Sequence, residues 1–488
     1  MADALEAIRE ALAGRPAWLV GGAIRDRVLG RATMDLDVVV DGDPGEAARA
    51  VARAAGRAAC FALSEEFGAW RVSARDSSWQ VDVEPLHGGS LDADLALRDF
   101  TVNAIAEPIA GGEPIDPLGG LADLAAGRLR MAGPGAFAAD PLRVLRLARV
   151  AVELSLEPEP DTLRAARARA GELVRCSPER VFVELRRIIA ASAALRGLEL
   201  MSELGATAVV LPELEALRGV EQSRFHHADV LGHTLEVLGR TLALTDFAAG
   251  RIDAPLGEAA DEAGGGGEPD ELRAVLGGHR RAVAALLAEP LADGLTRAEA
   301  LRWGALLHDA AKPLTREVRP GDGRVTFIGH DERGAALARE VLGRLRTSER
   351  LRGHVSALVR HHLRLGFLVH ERQPLSRRTV FSYLRATDPV EVDVTLLSIA
   401  DRLATRGDRA QDSIEAHLRV AEGMLGDALR WHAEGPPPPL LRGDELAREL
   451  GIRPGPGLGA LLEQLAGAQF AGEVATREQA LAHARTLA

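Results

Sequence analysis

Trp18-Leu19-Val20-Gly21-Gly22-Ala23-Ile24-Arg25-Asp26 is followed shortly by Met34-Asp35-Leu36-Asp37-Val38-Val39-Val40. The second stretch ends in a strand-like run of valines, and on a strand residues i and i+2 face the same way. Asp35 and Asp37 therefore project side by side, which is costly unless a cation sits between them. Hard oxygen ligands that leave positions open for phosphate oxygens suit Mg²⁺. Upstream, Val20 closes an apolar strand, and Gly21 and Gly22 let the backbone come close to a ligand. Residues 23–29 read as a short helix whose N-terminus can hold a phosphate. A phosphate cradle beside a carboxylate pair is the equipment of nucleotidyl transfer.

The order strand, glycines, helix with Arg25-Asp26, strand with Asp-x-Asp resembles the tRNA nucleotidyltransferase and bacterial poly(A) polymerase family. That family, here in its class II form, is a branch of the polymerase-β-like nucleotidyltransferases. Trp79-Gln80-Val81-Asp82-Val83-Glu84 supplies a third carboxylate from another strand. Asp82 is the first choice, because Val81 and Val83 then bury their side chains on the opposite face. Glu84, two residues on and on the same face as Asp82, is the second choice.

Leu97-Arg98-Asp99-Phe100-Thr101-Val102-Asn103-Ala104 comes next. Arg98 can clamp a triphosphate, and Asp99 can accept a hydrogen bond from a ribose 2′-hydroxyl. The segment is similar to the family's Arg-Arg-Asp-Phe-Thr-x-Asn-Ala motif, with Leu97 in place of the first arginine. By that resemblance Gly21, Gly22, Arg25, Arg98, Asp99 and Asn103 belong to the nucleotide site. Asp116-Pro117-Leu118-Gly119-Gly120 and Asp123-Leu124 resemble the family's head-to-neck junction. In Phe137-Ala138-Ala139-Asp140-Pro141-Leu142-Arg143-Val144-Leu145-Arg146, Asp140 and Arg143 stand at i and i+3 and are expected on one helix face. A carboxylate accepts from an exocyclic amine and a guanidinium donates to ring nitrogens or a carbonyl, so the pair fits the edge of cytosine or adenine. The family's motif reads Glu-Asp-x-x-Arg, and Ala139 stands where it has Glu. Arg146 completes the expected nucleotide-binding set. Ser177-Pro178-Glu179-Arg180 is expected to open a neck helix, with Ser177 as cap and Glu184 and Arg187 further along it.

Ten of the fourteen histidines fall between 226 and 370. His233, Leu306-Leu307-His308-Asp309, His330, Arg360-His361-His362 and Ala400-Asp401-Arg402 follow in order. An adjacent His-Asp at a helix end can share one metal, and a distant His and Asp complete the set. The series looks like an HD phosphohydrolase domain, with His233, His308, Asp309 and Asp401 holding a divalent transition metal. His330 and His361 or His362 would serve a second metal, and Lys312 would meet a substrate phosphate.

The chain has 488 residues, too many for one core, and three or four units are expected. The resemblance implies an α+β multidomain protein: a nucleotidyltransferase head with a mixed sheet and helices (1–130), then an all-α neck (131–215), HD domain (216–432) and RNA-facing tail (433–488). Strands are expected near 17–21 and 35–40 and in 69–74 and 78–84, with helices over about 3–13 and 44–57. Residues 245–275, with Gly264 to Gly267 in a row, read as a surface excursion or linker, and Pro436 to Pro439 as a stiff hinge before two or three small helices.

Net charge is −12, and aromatics make up only 3% of the chain. Nucleic-acid binding must therefore rest on local basic faces and not on an aromatic platform. Such faces lie at 143–149, 163–175 and 180–187. Two cysteines, Cys60 and Cys176, exclude a disulfide framework and fit a cytoplasmic location. No run approaches the ~18 apolar residues of a membrane span.

The resemblance implies template-independent CCA addition to tRNA 3′ ends from CTP and ATP, with the HD half as an accessory phosphohydrolase. The chain is shorter than usual between Asp82 and Arg98, where the family holds a flexible loop needed to switch from C to A addition. CC-only, A-only and poly(A) addition are the alternatives, as is a phosphohydrolase whose head only binds.

Overall fold

The computed structural model describes residues 2–33, 35–56, 58–64, 68–76, 78–222, 228–251, 268–405 and 410–487. Met34, His226, His227 and the Gly264–Gly267 run lie outside them. The chain divides into two compact units, Met1–Val210 and Leu211–Ala488.

The first unit begins with α1 (Ala2–Ala11), β1 (Ala17–Val20), α2 (Gly22–Val28), β2 (Asp35–Val40) and α3 (Pro44–Ala54). Asp43 caps α3, its Oδ1 accepting from the amides of Gly45 at 2.7 Å and Glu46 at 3.1 Å, with Pro44 at the first turn. Next come β3 (Ala59–Ser64), β4 (Ala69–Ser73), β5 (Gln80–Pro85), α4 (Leu91–Ala96) and β6 (Ala106–Pro108). The six strands form one mixed sheet in the order β3-β4-β5-β2-β1-β6. β2 pairs antiparallel with β1, Val20 opposite Asp37, and parallel with β5, Asp37 opposite Asp82.

Alternation along β2 sorts its side chains between the faces. Leu36, Val38 and Val40 are buried with Ile8 of α1, Leu12 just after it, and Ala48 and Val51 of α3. Val39, on the other face, packs with Val20, Leu95, Ala104 and Ala106. Asp35 and Asp37 share that second face, at the end of the strand that the helices leave open. The expected strands are present within a residue or two; β3 and β6 are additions that the sequence pattern did not mark.

The unit continues helically through α5 (Gly120–Ala125), α6 (Ala136–Ala139), α7 (Arg143–Leu154), α8 (Pro160–Arg167) and α9 (Pro178–Ala190). Asp140 and Arg143 do not share a helix face. Asp140 lies between α6 and α7 with extended backbone, φ −146° and ψ 104°. Pro141 is the cause, since the residue before a proline is kept out of the helical region. Ser177 does occupy the cap position of α9, but its side chain makes no cap bond. α7 and α9 are joined by a buried ion pair: Arg149 Nε lies 2.5 Å from Glu184 and its Nη1 2.8 Å from Glu153.

The second unit is nearly all helical. Its helices Val230–Ala248, Arg297–Leu307, His330–Arg344, Glu349–His361 and Glu391–Ala404 surround the histidines. Asp229 caps the first of these through the amide of Gly232 at 2.7 Å. At the C-terminal end, Gly443–Leu450, Pro456–Phe470 and Arg477–Leu487 share a small core of Leu446, Leu458, Leu461 and Leu465. Phe470 joins this module to Phe381 and Trp431, with ring centroids 5.6 and 5.9 Å away. No described helix is long and apolar enough to cross a membrane.

Removing one partner of a buried ion pair strands the other charge. Glu184→Ala should therefore destabilise the first unit by about 3 kcal/mol, at the low end of the usual range because Arg149 keeps Glu153. Denaturant unfolding followed on wild type and variant checks this.

Candidate functional site

In the first unit, a cavity of about 500 Å³ opens where β1 ends and β2 begins, with Glu84 near the end of β5 in its wall. Asp35, Asp37 and Glu84 line it, together with Gly21, Gly22, Arg25, Arg98, Asp99, Asn103, Arg143 and Arg146. Burial, together with Glu84, Asp82 and Asp35, pushes the Asp37 carboxyl up to about 6 against the pull of Arg98. Carboxylates crowded this way gain from a divalent cation, so the donor set fits a hard metal ion. Asp82 stands on the same face but its carboxylate is taken: Arg71 grips it with Nε and Nη2, both at 2.7 Å. Glu84, with no such partner among the described contacts, faces the cavity.

Gly21 holds φ 73° and donates its amide to the carbonyl of Ile105 at 3.0 Å. A Cβ there would stand 3.2 Å from Arg98 Nη1 and 3.5 Å from Asp37 Oδ2. Only glycine gives both the dihedral and the clearance. Arg98 lies 3.4 Å from Asp94, and Arg25 binds Asp26 and the Asn103 side-chain oxygen. Asp99 is buried and accepts from the Phe100 amide at 2.8 Å and Asn103 Nδ2 at 2.9 Å. Burial would raise its pKa, but Arg146, 2.8 Å away, and these bonds hold it below the usual carboxylate range.

Arg143 sends Nη1 to the carbonyls of Arg98 and Ala136 at 3.2 and 3.0 Å, and Nη2 to that of Leu97 at 2.8 Å. Asp140 accepts from Arg180 at 2.6 Å. The two predicted base readers are thus each held by another group. Nothing in the 140–146 pattern pointed to Arg180, forty residues away in sequence.

The second unit gathers two groups of metal-type ligands: His233, His308 and Asp401, and Asp309, His330 and His362. In each, the candidate ligand atoms lie within 4.8 Å of one another. His233 Nε2 is 3.0 Å from Asp401, and His308 Nε2 is 3.1 Å from Asp309. Nδ1 of His308, His330 and His362 donates to the carbonyl three residues earlier, at 2.8, 2.6 and 2.6 Å. That fixes the tautomer and leaves each Nε2 lone pair free for a metal. Nε2 of His308 and of His330 are buried without a hydrogen bond, which suits an imidazole ligand.

Of the adjacent pair, His362 enters the cluster; His361 is half-buried and receives Arg364 Nε on its Nδ1 at 2.9 Å. Helical phase carried the distinction, because Val355, Leu358, Val359 and His362 share the buried face. Burial pushes the His362 imidazole down to about 4, so it is neutral at physiological pH. Asp309 is held well below its usual range: burial raises it, but His308 and Lys312 outweigh that. Lys312 Nζ bridges Asp309 at 2.7 Å and Gln222 at 2.6 Å.

Three family descriptions match the chain: Poly A polymerase head domain over residues 17–130, Probable RNA and SrmB-binding site of polymerase A over 155–217, and HD domain over 276–406. An A-adding tRNA nucleotidyltransferase of Deinococcus radiodurans is 35% identical over 472 residues, covering 96% of this chain and 94% of that protein. A CC-adding tRNA nucleotidyltransferase of Thermus thermophilus is 32% identical over 474 residues, covering 96% and 93%.

The chain belongs to the tRNA nucleotidyltransferase and poly(A) polymerase family.

It is therefore an enzyme of the nucleotidyltransferase class, with an HD domain in its second unit. The fold agrees with that of the Thermotoga maritima CCA-adding enzyme complexed with tRNA, at TM-score 0.60 and 19% identity over 99% of this chain and 95% of that one. Nucleotidyltransferase and HD domains use divalent metals, and both clusters have donor sets of the right kind.

Gly21→Ala should leave the fold intact and raise KM for the nucleoside triphosphate about tenfold. The strain of the left-handed backbone, roughly 1–2 kcal/mol, then falls on the Arg98 side of the cavity. Steady-state kinetics with each triphosphate reads it.

Proposed function

We propose that the head adds CMP and AMP to tRNA 3′ ends from CTP and ATP without a nucleic-acid template. The observation that carries this is one cavity combining Asp35, Asp37 and Glu84 with Arg98 and Asp99. Asp35 and Asp37 hold Mg²⁺ in this reading, and Glu84 takes the place first assigned to Asp82, which Arg71 occupies. Mg²⁺ held there favours ionisation of the attacking 3′-hydroxyl and neutralises the leaving pyrophosphate. Arg98 orients the triphosphate, and Asp99, ionised and braced by Asn103 and Arg146, accepts from the ribose 2′-hydroxyl. Arg143 and Asp140 present the donor and acceptor to the base edge.

One observation favours a second reading, in which only part of the CCA sequence is added. β5 ends at Pro85 and α4 begins at Leu91, so residues 86–90 are all that remain where the family has its switching loop. Relatives named as A-adding and as CC-adding both align over nearly the whole chain. Purified protein incubated with tRNA ending before, within and after CC, with each labelled nucleotide in turn, separates the readings. Stepwise C, C, A supports the first; arrest after CC, or A addition only to tRNA ending in CC, supports the second.

We further propose that the HD centre is a phosphohydrolase. His233, His308, Asp309 and Asp401 hold a divalent transition metal, and Asp309, His330 and His362 are the ligands for a second. A metal so placed supplies an activated water for attack on a phosphoester.

Two outcomes test these assignments. Asp37→Ala should cut nucleotide addition by roughly a thousandfold, about 4 kcal/mol, in a folded protein. Near-normal incorporation removes the metal assignment. His308→Ala with Asp309→Ala should abolish bound transition metal and phosphoesterase activity while addition to intact tRNA persists. Metal analysis and both assays on one preparation read this, and loss of addition in a folded variant overturns the independence of the sites.

A further inference from the structure

β3, the outer strand of the six-stranded sheet, carries an aromatic side chain outside the nucleotide cavity. Phe61 is 47% exposed, and single exposed apolar residues are ordinary on a protein surface. Its place in the sheet sets it apart. Phe61 is opposite Arg71, Arg71 opposite Asp82, and Asp82 opposite Asp37. Residues directly opposite one another in neighbouring strands point to the same face. Cys60, Trp70, Val72, Val81 and Val83 alternate with these residues and pack into the core on the α1 and α3 side. Phe61, Arg71, Asp82 and Asp37 therefore form one row across the open face. Ala59, Ser73 and Gln80 make up the neighbouring row that leads to Asp35, so no large apolar side chain stands between Phe61 and the carboxylates in either row.

The nucleotide cavity lies on the other side of Asp37. Gly21 and Arg98 crowd Asp37 from the β1 side: a Cβ on Gly21 would stand 3.5 Å from Asp37 Oδ2 and 3.2 Å from Arg98 Nη1. Arg25, Arg143 and Arg146 line the cavity as well, so the cations that can meet a triphosphate are gathered there. Transfer forms a bond from the acceptor 3′-oxygen to the α-phosphorus, breaks the bond from that phosphorus to the pyrophosphate oxygen, and releases the hydroxyl proton. Attacking and leaving oxygens are roughly in line. With pyrophosphate toward β1, the acceptor strand comes from the side of β5, β4 and β3. Three strand spacings, roughly 14 Å, separate Asp37 from Phe61. The terminal ribose sits at the carboxylates, so a ring that far away meets a base behind the terminal one. Arg71 lies between them. Its Nε and Nη2 are on Asp82, and its Nη1 has no partner among the described contacts, which leaves it for a backbone phosphate.

We propose that Phe61 is a stacking residue for the RNA acceptor, holding a base one or two nucleotides behind the reacting 3′ end, with Arg71 at the intervening backbone phosphate. This rests on the nucleotidyl-transfer reading of the head. Phe61 touches no reacting atom; it positions the acceptor. Stacking of a base on an aromatic side chain tolerates any base, which suits an acceptor whose end advances with each addition. One ring stacks one base, so a chain with 3% aromatics needs no extended platform for it.

The test uses the full chain with tRNA ending before, within and after CC, and the same tRNAs carrying an abasic residue second or third from the 3′ end. Phe61→Ala should raise KM for the intact acceptor about tenfold, within the range of base–aromatic stacking. Its kcat at saturating acceptor and its KM for the triphosphate should stay unchanged, and Phe61→Trp should restore the acceptor KM. The wild type should lose about the same tenfold on one of the two abasic acceptors, and Phe61→Ala should lose nothing further on it. An unchanged acceptor KM in Phe61→Ala, or losses that simply multiply, overturns the proposal while nucleotidyl transfer stands. If the wild type extends no tRNA, that reading of the head fails, and crosslinking then decides Phe61 by itself. Wild-type protein irradiated with tRNA that carries 5-iodouridine second or third from the end should be labelled in the tryptic peptide 58–71. Labelling confined to other peptides overturns the proposal.

Discussion

Four carboxylates on one face of two paired strands set the terms for the first unit. Parallel pairing of β2 with β5 brings Asp37 opposite Asp82, with Asp35 and Glu84 two residues to either side. Left alone, that concentration of charge would oppose the sheet that creates it. Two arginines divide the load. Arg71, from the next strand, neutralises Asp82 in a bidentate pair, and Arg98 lowers Asp37 from outside the sheet. What remains is a carboxylate group still pushed up toward neutral pH, which gives a metal ion something to stabilise. Gly21 follows from the same constraint, since any side chain there would push Arg98 away.

The Asp-x-Asp register, the glycine turn and the order of the motifs were legible because each depends on local sequence. Period-two alternation dictates that Asp35 and Asp37 share a face, whatever the rest of the chain does. That Arg71 pairs with Asp82 and leaves Glu84 facing the cavity was not legible. Both face the same way, and what separates them is Arg71, contributed by a neighbouring strand whose pairing no local pattern states. Asp140 and Arg143 failed for the opposite reason. The i, i+3 argument assumes a helix, and Pro141 denies one to the residue before it; that signal was in the sequence and outweighs the spacing.

The HD cluster shows the same division. The residue types and their order pointed to a metal-type cluster, but five separate helical segments supply the candidate ligands, so their grouping into two sets of three is a tertiary fact. His361 against His362 was decidable from helical phase alone. The hydrogen bonds from Nδ1 to carbonyls three residues back recur at His308, His330 and His362. Each of these residues follows, or begins, a helix where the carbonyl is within reach, so the backbone sets the tautomer at three candidate ligands without a second layer of side chains.

The departures at Leu97 and Ala139 from the family pattern meet at one residue. Arg143 has no glutamate at 139 to brace it, and its guanidinium binds instead the backbone carbonyls of Leu97, Arg98 and Ala136. Backbone acceptors hold it regardless of the side chain at 97, so the loss of an arginine there does not loosen it. The carbonyls it holds belong to the segment that carries Arg98 and precedes Asp99. The start of α7 is thereby tied to the segment that carries Arg98 and Asp99, and a shift of either moves the other. Asp140 is tied to α9 through Arg180. Arg143 and Asp140 are thus each fixed to a different element, one to the segment 97–98 and one to α9. Their mutual spacing is set by how α7 and α9 pack, and the buried Arg149–Glu184 pair joins those two helices.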